Sequence, residues 1–168
     1  MQFINDDWRI ESDLKEAHME TDSVLKLDNQ LCFAVYACAR EITKLYHPLL
    51  KEIGLTYTQY VTMLALWERD QVSVKQLGQR LYLDSGTLTP LLKKLETMGL
   101  ITRKRDQVDE RSVTIALTEQ GTLLKGKAIN IPEKLFCQAG VSPEEAVALR
   151  KQITGLLQKA QQTIIEEE

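Results

Sequence analysis

The run from Ser73 to Arg111, SVKQLGQRLYLDSGTLTPLLKKLETMGLITRKRDQVDER, constrains the fold of this chain more than any other stretch. Its punctuation divides it into two short helices and a hairpin. Ser73 with Gln76 forms a capping box that opens the first helix. Val74, Leu77 and Leu81 then share one face. Leu83-Asp84 breaks the run. Asp84 or Ser85 begins a second helix by accepting hydrogen bonds from the free amides of its first turn. Leu88, Leu91, Leu92, Leu95 and Met98 give this helix an apolar stripe, and Gly99 ends it where a left-handed cap is easiest. Pro90 falls past the first turn, so one backbone bond is lost and a slight kink is expected. The opposite face presents Ser85, Thr87, Thr89, Lys93 and Lys94, short polar or basic groups of the kind that meet base edges and phosphates.

An amphipathic helix with two lysines is, on its own, an ordinary surface helix. Here a basic hairpin follows it. Leu100–Arg103 and Ser112–Leu117 read as short strands, with Val113, Ile115 and Leu117 alternating against Ser112, Thr114 and Ala116. Between them lies the polar stretch from Lys104 to Glu110, flanked by Arg103 and Arg111. Helix, turn, helix and basic hairpin together are the layout of a winged helix-turn-helix that docks in DNA. Arginines in such a wing suit phosphate contact or a minor groove. The net charge of −3 opposes this only at first sight. Acid gathers at the ends, in Asp6, Asp7, Glu11, Asp13, Glu16, Glu20 and Asp22 and in the final glutamates. Between Val72 and Arg105, Lys75, Arg80, Lys93, Lys94, Arg103, Lys104 and Arg105 face only Asp84 and Glu96. Local charge decides binding, and locally the chain is basic.

At 168 residues the chain suits one compact domain with arms, and 43% hydrophobic with 27% charged residues excludes wholesale disorder. No apolar run approaches the roughly 18 residues of a membrane span. The acidic start is no secretory signal. A cytoplasmic protein without membrane association is expected. Residues 1–26 read as an acidic extension. A helix is expected from near Asp28 towards Tyr46, with Leu31, Val35, Cys38, Ile42, Leu45 and Leu49 as a seam for another helix. Pro48 should kink it or open a new short helix that Gly54 ends. Thr56 and Gln59 form a second capping box, opening a helix that buries Tyr60, Met63, Leu64 and Trp67. Past the hairpin, Thr118 caps a helix whose apolar positions include Leu123, Leu124 and Ala128, with a bend at Ile131-Pro132. Ser142-Pro143-Glu144-Glu145 starts the last helix, which carries Val147, Leu149, Ile153, Leu156, Leu157 and Ile164.

The fold class is therefore mainly α: a winged helix-turn-helix with a small β-hairpin wing and terminal helices forming a dimerisation region. Residues 56–118 form the DNA-binding core. Residues 27–55 and 119–168 supply the seams that a homodimer would bury, completing a domain over 27–168. Two reading helices would then meet the half-sites of a pseudo-palindromic double-stranded operator.

Three cysteines in a reducing compartment do not form a disulfide framework. Cys38 lies in the apolar seam and reads as core. Cys32 is near a helix N-terminus, where the dipole favours a thiolate. It shares a stripe with Tyr36, Ala39, Thr43 and Tyr46. From composition alone Cys32 and Cys137 still read as small hydrophobes. His18 and His47 match no metal pattern, no phosphate loop or catalytic arrangement is present, and neither metal nor cofactor nor enzyme activity is expected.

From about Leu27 to Ile165 the chain resembles the MarR family of winged-helix regulators, and within it the organic-hydroperoxide-sensing OhrR branch. The resemblance rests on LDNQLCFAVYACAREITKLYHPLL, GLTYTQYVTMLALWE, VKQLGQRLYLDSGTLTPLLKKLE and GLITRKRDQVDERSVTIALTEQG. It implies that Cys32 is the redox sensor, that Tyr36, Tyr46 and Tyr57 line its pocket, and that Cys137 is the resolving cysteine of the two-cysteine type. It also implies a repressor that holds its operator through Ser85, Thr87, Thr89 and Lys93 and through the wing residues Arg103, Lys104, Arg105 and Arg111, with Asp109 positioning Arg111. Organic hydroperoxides would be the signal that releases it. The alternative within the family is release by a bound small phenolic ligand. A thiol peroxidase with a vestigial regulator region is the alternative outside it.

Overall fold

In the computed structural model, residues 23–105 and 113–166 are described, with side chains to Thr163. The chain falls into two compact units, one ending at Thr43 and the other beginning at Lys44. A 3-10 turn, Leu27–Asn29, precedes the helix that opens at Leu31, and the Asn29 side-chain amide donates back to the Ser23 carbonyl at 2.7 Å.

Helix α1, Leu31–Lys51, continues through Pro48. Of the two outcomes expected there, a new helix does not open. Proline offers no amide to the preceding turn, but Leu49 and Leu50 just after it are buried in the core and carry the helix on to Lys51. Gly54, at φ 73°, then turns the chain. Helix α2, Tyr57–Glu68, opens on the expected capping box: Thr56 Oγ1 accepts from Gln59 N–H, and Gln59 Oε1 from Thr56 N–H. It buries Tyr60, Met63 and Leu66, whereas Leu64, expected inside, is 43% exposed. Three- and four-residue spacing admits either leucine, and packing selects Leu66.

Strand β1, Val72–Ser73, leads directly into α3, Val74–Leu81, whose cap is the Ser73/Gln76 box. Helix α4, Ser85–Thr97, follows after a short turn and buries Leu88, Leu92 and Leu95. It ends as expected at Gly99, φ 71°, where the Leu100 amide reaches the Leu95 carbonyl at 3.1 Å. Strands β2, Ile101–Arg105, and β3, Val113–Leu117, pair antiparallel with Arg103 opposite Ile115. The two-residue β1 adds to the outer side of β3, giving the order β1-β3-β2. A strand this short has no sequence pattern of its own and exists through its partner. Asp70 fixes the corner, its Oδ1 accepting from Leu117 N–H at 2.8 Å.

Beyond the hairpin, Thr118 caps α5, Glu119–Ala128, accepting from Gly121 N–H. Leu124 and Ala128 are buried, but Leu123 is 70% exposed. It lies one helical step from Leu124 and turns to solvent. The bend at Ile131-Pro132 is a full break, and α6, Ile131–Ala139, is a separate helix. Helix α7, Pro143–Glu166, starts on the predicted motif, with Ser142 Oγ accepting from Glu145 N–H and Glu145 Oε2 from Ser142 N–H.

The core lies between α2, α3, α4 and the sheet, around Tyr60, Met63, Leu77, Leu88, Leu95 and Ile115. Leu31, Val35 and Ile42 of α1 and Val147, Ile153 and Leu156 of α7 are exposed in the single chain. Cys38, expected in the core, is exposed with the seam to which it belongs. Among the described residues no helix is long and apolar enough to cross a membrane.

Candidate nucleic-acid interface and thiol site

The outer face of α4 is set by its first turn. Asp84 caps the helix, Oδ1 accepting from Thr87 N–H at 2.9 Å and Oδ2 from the Thr87 hydroxyl at 2.8 Å. These bonds, the backbone one foremost, hold the Asp84 carboxyl below its ordinary range. The Thr89 hydroxyl donates to the Ser85 carbonyl at 2.6 Å. Ser85, Thr87, Thr89 and Lys93 are all exposed, whereas Leu88, Leu92 and Leu95 are buried. Pro90 is exposed among them. One turn earlier, Gly86 leaves the backbone bare, and a Cβ there would come within 2.9 Å of Asp84 Oδ1.

The base of the hairpin is tied to this helix. Arg103 Nε lies 3.3 Å from Glu96 Oε2, and the Arg103 side chain is only 27% exposed. The approach is close enough for an ion pair but off-line for a hydrogen bond, so Nε has charge compensation without a bonded acceptor. Sequence reasoning grouped Arg103 with Lys104 and Arg105. The structure separates them, since Lys104 and Arg105 are exposed on β2. Asp109 and Arg111 lie outside the described residues. The Arg103–Glu96 pair joins different elements, and no local pattern announces it.

The thiols are free and exposed at Cys32, Cys38 and Cys137. Cys32 is the second residue of α1, nearer the helix start than expected because the helix opens at Leu31 rather than near Asp28. One turn on, Tyr36 packs near Phe33 with ring centroids 6.4 Å apart. The Arg40 guanidinium holds the Tyr36 phenol, donating to its oxygen at 2.8 Å and lying 5.5 Å from the ring centre. Arg40 was not singled out from sequence, although its four-residue spacing from Tyr36 was the available signal.

Within the second unit Tyr46 and Tyr57 come together, ring centroids 5.0 Å apart, and Tyr60 joins them at 5.7 Å from Tyr46. Burial, with the two neighbouring phenols, pushes the Tyr46 hydroxyl up to about 12. Tyr60 is likewise raised, chiefly by burial. Sequence reading took Tyr60 for simple core, yet its ring completes the cluster. Cys137 is in the last turn of α6, just before the cap at Gly140, φ 64°.

A helix-turn-helix with an exposed polar face, a basic strand pair and long flanking helices defines the class, a winged-helix transcription regulator. The chain belongs to the MarR family of such regulators, in the branch of the organic hydroperoxide regulators. Residues 44–128 match the family described as transcriptional regulator SarA/Rot. The organic hydroperoxide resistance transcriptional regulator of Bacillus subtilis (strain 168) is 51% identical over 138 residues, covering 82% of this chain and 94% of that protein. Among solved structures, the overoxidized form of AbfR, a Staphylococcus epidermidis protein, bound to DNA matches at TM-score 0.69 and 33% identity, covering 83% of this chain and 98% of the other. The disulfide form of AbfR matches at TM-score 0.56 and 32% identity, covering 92% and 99%.

Proposed function

We propose that this regulator is a redox-switched repressor, active as a homodimer, that releases its operator when organic hydroperoxide oxidises Cys32. The observation that carries the reading is the free, exposed Cys32 thiol in the first turn of α1, on a chain 51% identical to an organic hydroperoxide regulator. A relative solved in disulfide and overoxidized forms supports it. In the reduced dimer, Ser85, Thr87, Thr89 and Lys93 meet the major groove. Lys104, Arg105 and Arg111 meet the backbone or minor groove, with Asp109 holding Arg111. Arg103 acts chiefly by steadying the wing against α4. The exposed apolar faces of α1 and α7 supply the dimer contact.

The Cys32 thiolate attacks the distal oxygen of the hydroperoxide. The S–O bond forms as the O–O bond breaks, giving a sulfenic acid, and the leaving alkoxide takes a proton from water to become the alcohol. The thiolate of Cys137 of the partner subunit attacks that sulfur, the S–S bond forms, and hydroxide leaves as water after protonation. Tyr36, Tyr46 and Tyr57 serve as pocket donors. The new bond displaces the reading heads from their half-site spacing.

The test is a gel shift on the DNA upstream of the chain's own gene, with cumene hydroperoxide and then dithiothreitol. Wild type should release and rebind. Cys32→Ser should stay bound, and Cys137→Ser should lose the intersubunit crosslink on a non-reducing gel. Normal release by Cys32→Ser would remove the sensor assignment.

A further inference from the structure

The turn between α3 and α4 carries a residue that the fold alone does not account for. Tyr82 closes α3 in the left-handed region, at φ 56° and ψ 38°, its amide donating to the Gly78 carbonyl. Leu83 N–H donates to the same carbonyl at 3.0 Å. Glycine takes this cap conformation freely, whereas an L-residue brings its Cβ against the following carbonyl oxygen and strains the backbone. Packing does not offset the strain. Leu81 and Leu83 on either side lie against the core, while Tyr82 is 62% exposed and does not. Among the described residues its phenol makes no hydrogen bond.

Its place is informative. Tyr82 shares an open cleft with Lys75 and Ser85, beside the first turn of α4. Asp84, the acid in that cleft, has its two oxygens engaged by Thr87. Beside the phenol, the cleft presents the amine of Lys75, the hydroxyl of Ser85 and the amides of Gln79 and Gln161. A phenol is a rigid, neutral donor that projects farther than a serine and loses little side-chain freedom on binding.

We propose that Tyr82 is a DNA-backbone contact, its phenol donating a hydrogen bond to a phosphate oxygen at the edge of the half-site that α4 reads. The proposal rests on the DNA-binding function argued above and adds to it a residue retained for the ligand at the expense of the turn. Two properties distinguish such a contact. A phosphate carries no sequence information, so operator and unrelated duplex should weaken by the same factor when the phenol is lost. A neutral donor releases no counterion, so the slope of affinity against salt should not change.

The experiment uses the full chain as wild type, Tyr82→Phe and Tyr82→Gly. Fluorescence anisotropy follows the upstream DNA and an unrelated duplex across a salt series, and thermal unfolding follows each protein. Tyr82→Phe should bind both duplexes roughly ten- to a hundredfold more weakly, the loss of one hydrogen bond to a charged group, with unchanged salt slope and Tm. Tyr82→Gly should lose at least as much affinity while its Tm rises. Wild-type affinity in Tyr82→Phe overturns the proposal, and so does a lowered Tm in Tyr82→Gly, which would make the tyrosine structural. If wild type binds neither duplex, the DNA-binding reading fails and takes this one with it, a result distinct from a silent Tyr82→Phe.

Discussion

Gly121→Ala should destabilise the chain strongly for a reason confined to one joint. Gly121 is in the first turn of α5, where its carbonyl accepts from Trp67 Nε1 at 2.9 Å. A Cβ built there would stand 2.0 Å from the Leu100 carbonyl oxygen and 3.0 Å from its carbon. Clearing that overlap needs the helix to withdraw by about 1 Å, judged against the 3.0 Å floor for such contacts. The same Leu100 oxygen accepts from Thr118 N–H at 3.1 Å, so withdrawal strains this bond together with the tryptophan's. Each is worth about 1 kcal/mol, and the residual overpacking adds about 1–3 kcal/mol. Alanine's better helix propensity returns about 1 kcal/mol. The net loss is about 3 kcal/mol, or a Tm lower by roughly 10 °C for a chain of this size. Calorimetry at fixed protomer concentration measures it, since the proposed dimer would make Tm concentration-dependent. Gly126→Ala is the control, because it sits in the same helix with nothing within 4 Å of its added Cβ. It should stabilise by about 0.5–1 kcal/mol. If the two substitutions shift Tm in the same direction and by similar amounts, the joint is not as close as described.

The other predictions concern charge. Tyr46, raised to about 12, keeps in the fold a proton that the unfolded chain loses near 10. Its contribution is therefore complete below pH 10 and disappears as pH climbs towards 12. Tyr46→Phe should flatten the fall in urea midpoint over that window, and an identical fall would show that another group titrates. Arg103→Ala should leave the salt slope of DNA binding almost unchanged, because Glu96 already compensates that charge, whereas Lys104→Ala should reduce its magnitude by about 1. Equal slopes for the two variants would return Arg103 to the DNA.

Local chemistry was legible in the sequence and long-range choice was not. The Ser73, Thr56 and Ser142 boxes were all found because a capping bond spans three residues and needs nothing from the rest of the fold. The path of α1 through Pro48 was missed because the support comes from Leu49 and Leu50 in the core. Leu64 and Leu123 illustrate the same limit, since periodicity marks a face but packing chooses its centre. Cys38 was placed inside by a seam that, among the described residues, leaves it exposed. At the site, the exposed residues of α4 followed from its apolar stripe. The Arg103–Glu96 pair and the third ring of the tyrosine cluster depend on elements meeting in space, and no spacing rule reaches that far.

The capping bonds of α4 also settle what its threonines can say to a ligand. A hydroxyl has a single proton, and Thr87 gives its own to Asp84 while Thr89 gives its own to the Ser85 carbonyl. Each side chain therefore reaches outward as an acceptor with a methyl group beside it. In a major groove, acceptors answer the exocyclic amino groups of adenine and cytosine, and a methyl answers that of thymine. On the proposed binding mode, the O6 and N7 of guanine, acceptors themselves, would find donors on this helix in Lys93 or Ser85. If α4 is the reading helix, as proposed, the bonds that start it would bias its alphabet before any DNA arrives.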